Sequence, residues 1–225
     1  SVSNRARALA ASPIPAPMGM SMTHSPTVEE IAALRTTFAR AARIAVDSGF
    51  DALEIHCGHN YLLSSFLSPL LNRRRDGYGG SLVNRARLAR EVLESVREEI
   101  GSNVAIWVKL NMYDGVGAVG APARRWRGFN VDEACAAARL FEADGYLDAI
   151  EPTAGSSLLN PMYLFHGQAP RTAFADAFTG PMRWGLKAAG PFFLKHYEYH
   201  PGYLLPLARR LREAVDLPIL SLIHI

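Results

Sequence analysis

FDALEIHCGHNYLL, Phe50–Leu63, begins as a short, largely apolar run and ends in two imidazoles and a phenol. The first half, FDALEIH, has the length and character of a buried strand. His56 closes it, and His59 and Tyr61 follow where the chain turns over the strand's end. Upstream, TVEE at Thr27–Glu30 is a capping box that opens a helix. Ile31, Leu34, Phe38, Ala41, Ala42 and Ala45 then recur at helical spacing, and Gly49 ends the run.

The same cycle repeats downstream. Ser81 starts a helix through Leu88, Val92 and Val96, closed by Gly101, and VAIWVKLN (Val104–Asn111) is the next strand. A glycine-rich loop, Met112–Phe129, leads to a third helix from Asn130 and Glu133 to about Asp144. LDAIEP (Leu147–Pro152) is a third strand. After an irregular excursion with short helices near Pro181–Lys195 come a helix over Tyr203–Val215 and a fourth strand, LPILSLIHI. The proline-rich Ser12–Pro17 reads as a loop or linker. Helix and strand in strict alternation mean a parallel sheet with crossover helices. The strands end in His56, Lys109, Asn111 and Glu151, which puts a site at the carboxyl ends of the sheet. No G-x-G-x-x-G turn is present, so a (β/α)8 barrel is favoured over a doubly wound dinucleotide fold.

Composition narrows the function. The chain has 225 residues, 49% hydrophobic and 20% charged, with a net charge of +3. No basic stripe suits nucleic acid, and no apolar run is long enough to span a membrane. Cys57 and Cys135 make no disulfide framework, which points to a reducing, cytoplasmic setting. The partner expected is a small-molecule substrate, with a homo-oligomer as an option. Neither end resembles a natural terminus, and the chain reads as one domain, 1–225, cut at both ends.

Two imidazole donors can hold one carbonyl or nitro oxygen and stabilise the negative charge that develops on it. Tyr61 beside them is a candidate proton donor. The competing reading of His56-Cys57-x-His59 is a zinc site, disfavoured because few further ligands lie at neighbouring strand ends. Lys109 has three readings: partner of an anionic cofactor group, Schiff-base nucleophile of an aldolase or lyase, or salt-bridge partner of Glu151. Arg73, Arg75 and Arg85 read as partners of Asp76 and of helix ends, and Arg124–Phe129 as a solvated loop.

EIHCGHNYLLSSFLSPLLNRRRDGYGGSLVNRARLAREVLESVR resembles the old yellow enzyme family of FMN-dependent ene-reductases. The shared pattern is His56, His59 and Tyr61, then Phe66–Pro69, Asn72–Ser81 and Asn84–Arg87. Val83 and Cys57 depart from it. The resemblance implies strands four to seven of a (β/α)8 barrel that holds FMN at its C-terminal face. It implies that His56 and His59 bind the substrate oxygen, Tyr61 protonates the adjacent carbon, and Lys109 lies by the flavin's pyrimidine edge. NADH or NADPH would be the reductant and an activated C=C bond the acceptor. No metal is implied. An isolated half-barrel has two open edges, so this piece alone is expected to be poorly soluble or oligomeric, to bind FMN weakly and to be inactive by itself. The closing SLIHI does not fit the family's seventh strand.

Overall fold

The computed structural model describes residues 8–16, 21–115 and 128–220. Two short antiparallel strands, β1 (Pro15–Ala16) and β2 (Ser21–Met22), come first, where proline content alone predicts a loop. Helix α1 (Val28–Asp47) begins at the expected capping box, with the Thr27 N–H donating to Glu30 Oε2 at 2.7 Å. Of its apolar stripe, Ile31 and Ala42 are buried and Phe38 packs on the core, but Ala41 is exposed.

Strand β3 (Ala52–Cys57) leads into α2 (Leu62–Leu67), a helix the sequence reading lacks. Five of its six residues are buried, so it has no polar face to reveal a helical period. Helix α3 (Leu82–Ile100) starts where Ser81 Oγ accepts from the Asn84 N–H, and it ends at Gly101 with φ +73°. Strand β4 (Ala105–Asn111), helix α4 (Val131–Asp144), capped by the Asn130 side chain, and strand β5 (Ala149–Thr153) follow as expected. The excursion folds into α5 (Pro161–Phe165), α6 (Arg171–Asp176) and α7 (Gly180–Phe193). Helix α8 (Leu205–Arg212) is shorter than the predicted Tyr203–Val215.

The sheet order is β3-β4-β5, all parallel. The predicted fourth strand is reduced to a bridge at Ile219: the Ile150 N–H donates to the Pro218 carbonyl and the Leu220 N–H to the Ile150 carbonyl, both at 2.9 Å. SLIHI, residues 221–225, lies outside the described residues, as does most of the predicted loop at Arg124–Phe129. Among the described residues, the far edge of β3 carries no strand.

One face of the sheet, with Ile55, Cys57, Val108, Leu110 and Ile150, is buried in the core with the helices. The other face carries Glu54, His56, Trp107, Lys109 and Glu151, because side chains alternate along a strand. The arginine-rich turn is structural, with one correction to the sequence reading. Arg74 pairs Asp76 at 2.6 Å, a role expected of Arg73, Arg75 or Arg85. Arg85 is buried and donates to the Gly80 and Leu67 carbonyls and to Glu133, tying α2, α3 and α4 together. Gly79 is required in this turn, since a Cβ there would meet the Arg74 carbonyl oxygen.

Candidate active site at the strand ends

Parallel register lines up His56, Lys109 and Glu151 across β3, β4 and β5. Past Cys57 the chain turns sharply. His59 and Asn60 both take left-handed backbone angles, φ +58° and +61°, and the Tyr61 N–H donates back to the Gly58 carbonyl. Asn tolerates this conformation; a histidine there is strained, a feature that clusters at functional sites. The turn brings the three predicted side chains together. The His56 ring centroid lies 5.5 Å from that of His59 and 5.4 Å from that of Tyr61. Gly58 permits this packing: a Cβ there would approach the His56 ring and the Thr153 methyl at 3.0 Å each.

The loop after β5 clasps the turn from the other side. The Ser157 N–H and hydroxyl both donate to the His59 carbonyl, and His59 Nε2 lies 3.2 Å from Thr153 Oγ1. His59 Nδ1 is buried with no partner in aligned hydrogen-bond geometry, although the Gly155 backbone is near enough to oppose the pKa shift. Burial, and then the neighbouring His56, push the His59 pKa down to about 4. Burial also lowers His56, against the pull of Glu54. Both imidazoles are therefore neutral at pH 7.

This gives a stability prediction. Between pH 6.5 and about 4 the unfolded chain holds a proton on residue 59 that the folded chain lacks. Stability is thus complete above pH 6.5 and falls as pH drops through this window. The ring is partly exposed, so the loss at this residue is on the order of 1–2 kcal/mol. Urea midpoints from pH 7 to 4 should fall less steeply in His59→Gln than in the parent; equal slopes would contradict the assignment.

Geometry disfavours the zinc reading: Cys57 points to the opposite face of β3 from His56 and is fully buried, so the two side chains do not converge on one ion. Lys109 Nζ sits 3.1 Å from Glu54 and 3.2 Å from Glu151. Burial works to lower its pKa, but the hydrogen bonds from these carboxylates win and raise it. A lysine held charged is a poor Schiff-base nucleophile. Its ammonium has three donors; the two carboxylates use two and leave one, a donor that matches the carbonyl oxygens and ring nitrogens of a flavin.

Sequence reasoning missed the centre that supports the turn. Asp114, three residues past β4, is buried and accepts four hydrogen bonds. Asn60 Nδ2 (3.0 Å) and Asn111 Nδ2 (2.9 Å) donate to Oδ1, and Ser68 Oγ (2.6 Å) and the Phe129 N–H (2.8 Å) to Oδ2. Burial pushes its pKa up, and the four bonds oppose that. A left-handed Asn following His-x-x-His was the one local signal; the partners lie too far away in sequence to be read from it.

Comparison with known proteins identifies the family. Residues 4–157 match the family described as NADH:flavin oxidoreductase / NADH oxidase. The chain is 44% identical over 221 residues to the 4,4'-dithiodibutanoate disulfide reductase of Rhodococcus erythropolis, covering 98% of this chain and 53% of that protein. It therefore spans about half the length of that curated relative. A 2-naphthoyl-CoA reductase structure superposes with TM-score 0.68 and 25% identity over 96% of this chain and 29% of that one. Old Yellow Enzyme from Pichia sp. AKU4542 gives TM-score 0.50 and 28% identity over 64% of this chain and 40% of that one. The family match over residues 4–157, together with these relatives, places this chain in the NADH:flavin oxidoreductase / NADH oxidase family of FMN-dependent oxidoreductases, of old yellow enzyme type.

Proposed function

We propose that this chain forms strands four to seven of a (β/α)8 flavoenzyme that reduces an activated C=C bond of an enone, nitroalkene or dienoyl compound. The observation that carries the reading is the convergence of His56, His59 and Tyr61 in one cluster beside Lys109. When bound, FMN supplies hydride to the far carbon of the double bond and is reloaded by NADH or NADPH. Neutral His56 and His59 donate N–H bonds to the substrate's carbonyl or nitro oxygen and stabilise the charge that grows there. The Tyr61 hydroxyl gives its proton to the carbon next to that group. Lys109, held charged by Glu54 and Glu151, would hold the flavin and supply a cation for the negative charge of its reduced form.

A second reading is reduction of a disulfide, favoured by the activity for which the Rhodococcus relative is named. There two electrons and two protons convert an S–S bond into two thiols, and no carbon is protonated. The readings separate in deuterium oxide. The FMN-loaded product of the complete reading frame, supplied with NADH or NADPH and 2-cyclohexenone, should yield the saturated ketone with solvent deuterium beside the carbonyl. Turnover of 4,4'-dithiodibutanoate without turnover of any enone or nitroalkene would replace the first reading by the second.

A further inference from the structure

Beside Tyr61 lies a cavity of about 480 Å³, within the size range of small-molecule sites. Its walls come from the first described segment, the start of α2, the loop after β5, and helices α5, α6 and α7. Leu158, Leu164, Phe165, Phe174, Phe178 and Met182 supply much of its surface. Among the described residues, no Asp, Glu, Lys, Arg or His lines it. Tyr61 and Asn60 do, so the cavity is continuous with the proposed catalytic turn. The excursion between β5 and α8, which the reaction itself does not use, therefore builds an uncharged wall around a space reached from Tyr61.

We infer that this cavity receives an uncharged aliphatic or aromatic group of the same molecule whose oxygen is held at His56 and His59. The inference rests on the reductase reading and narrows it: the substrate is an enone or nitroalkene with a long apolar substituent. Each methylene that leaves water for the cavity should tighten binding roughly fourfold. A carboxylate at the far end of that group would be buried without a partner and should be rejected by about a hundredfold or more.

Two independent assays test this. With the FMN-loaded enzyme, kcat/KM is measured across alk-3-en-2-ones from five to twelve carbons, and for a long member ending in a carboxylate. The expected result is a rise of roughly fourfold per methylene until the cavity fills, with the carboxylate analogue falling well below its neutral counterpart. Met182→Glu, which puts a charge in the wall, should flatten the rise. With flavin-free protein, Nile red should bind and be displaced by dodecan-2-one but not by dodecanedioate. A flat chain-length profile, or equal binding of the neutral and carboxylate-ended ligands, overturns the inference even if Met182→Glu fails to fold. Nile red displacement by dodecan-2-one without turnover of any enone would support the cavity assignment and sink the reductase reading.

Discussion

Tyr61→Phe is expected to lower the rate of alkene reduction by about 10²–10⁴-fold, the usual contribution of a positioned general acid. The substitution removes only the hydroxyl. The ring stays against His56 at the 5.4 Å separation seen here, and because Tyr61 is largely exposed its loss leaves no unpaired group in the core. Folding and flavin content should therefore be unchanged. The effect should appear in one half-reaction only. Reduction of the bound flavin by NADH or NADPH needs no proton from Tyr61 and should keep its rate, while oxidation of the reduced enzyme by an enone should slow. Stopped-flow absorbance of the two half-reactions separates them. Equal slowing of both, or of neither, would show that the hydroxyl is not the proton source.

The second large effect concerns folding. Asp114→Ala removes one carboxylate and leaves four donors, from Asn60, Ser68, Asn111 and the Phe129 backbone, without an acceptor in the core. Stranding buried donors costs about 1–3 kcal/mol each, and the protein can relax around some of them. A loss of about 3–5 kcal/mol is expected, at the high end for a single substitution. The denaturant midpoint should fall accordingly with an unchanged m-value. Asn60 would lose the bond that steadies its left-handed backbone, so any folded fraction should bind substrate-like phenols more weakly. A midpoint within 1 kcal/mol of the parent's would remove Asp114 from the account.

These residues show what was legible in the sequence. Strands β3, β4 and β5 were readable because each is a short apolar run that stops at a polar residue. The helices between them announced their own starts through Thr27, Ser81 and Asn130, whose side chains cap as expected. The His56, His59 and Tyr61 cluster was readable because one local turn makes it. Helix α2 was not, since nearly every residue in it is buried and no face contrasts with another. Asp114 was not, since its donors Asn60 and Ser68 lie 54 and 46 residues away. Lys109 was half-readable: pairing with Glu151 was foreseen, but Glu54 enters only through the register of β3 against β4. The apolar cavity depends on helices α5, α6 and α7, whose packing on the first segment no local pattern predicts.

Under the proposed function His56 and His59 would together hold the substrate's oxygen. The most direct test is a visible absorption titration of the FMN-loaded product of the complete reading frame with a phenol. A phenol oxygen held by His56 and His59 would bind as its anion, and an electron-rich phenolate beside oxidised flavin would give a broad long-wavelength band. That band is expected in the parent and should be lost in His56→Ala, with the flavin spectrum itself intact in both. A colourless protein that takes up no FMN, or a phenol band unchanged in His56→Ala, would contradict it.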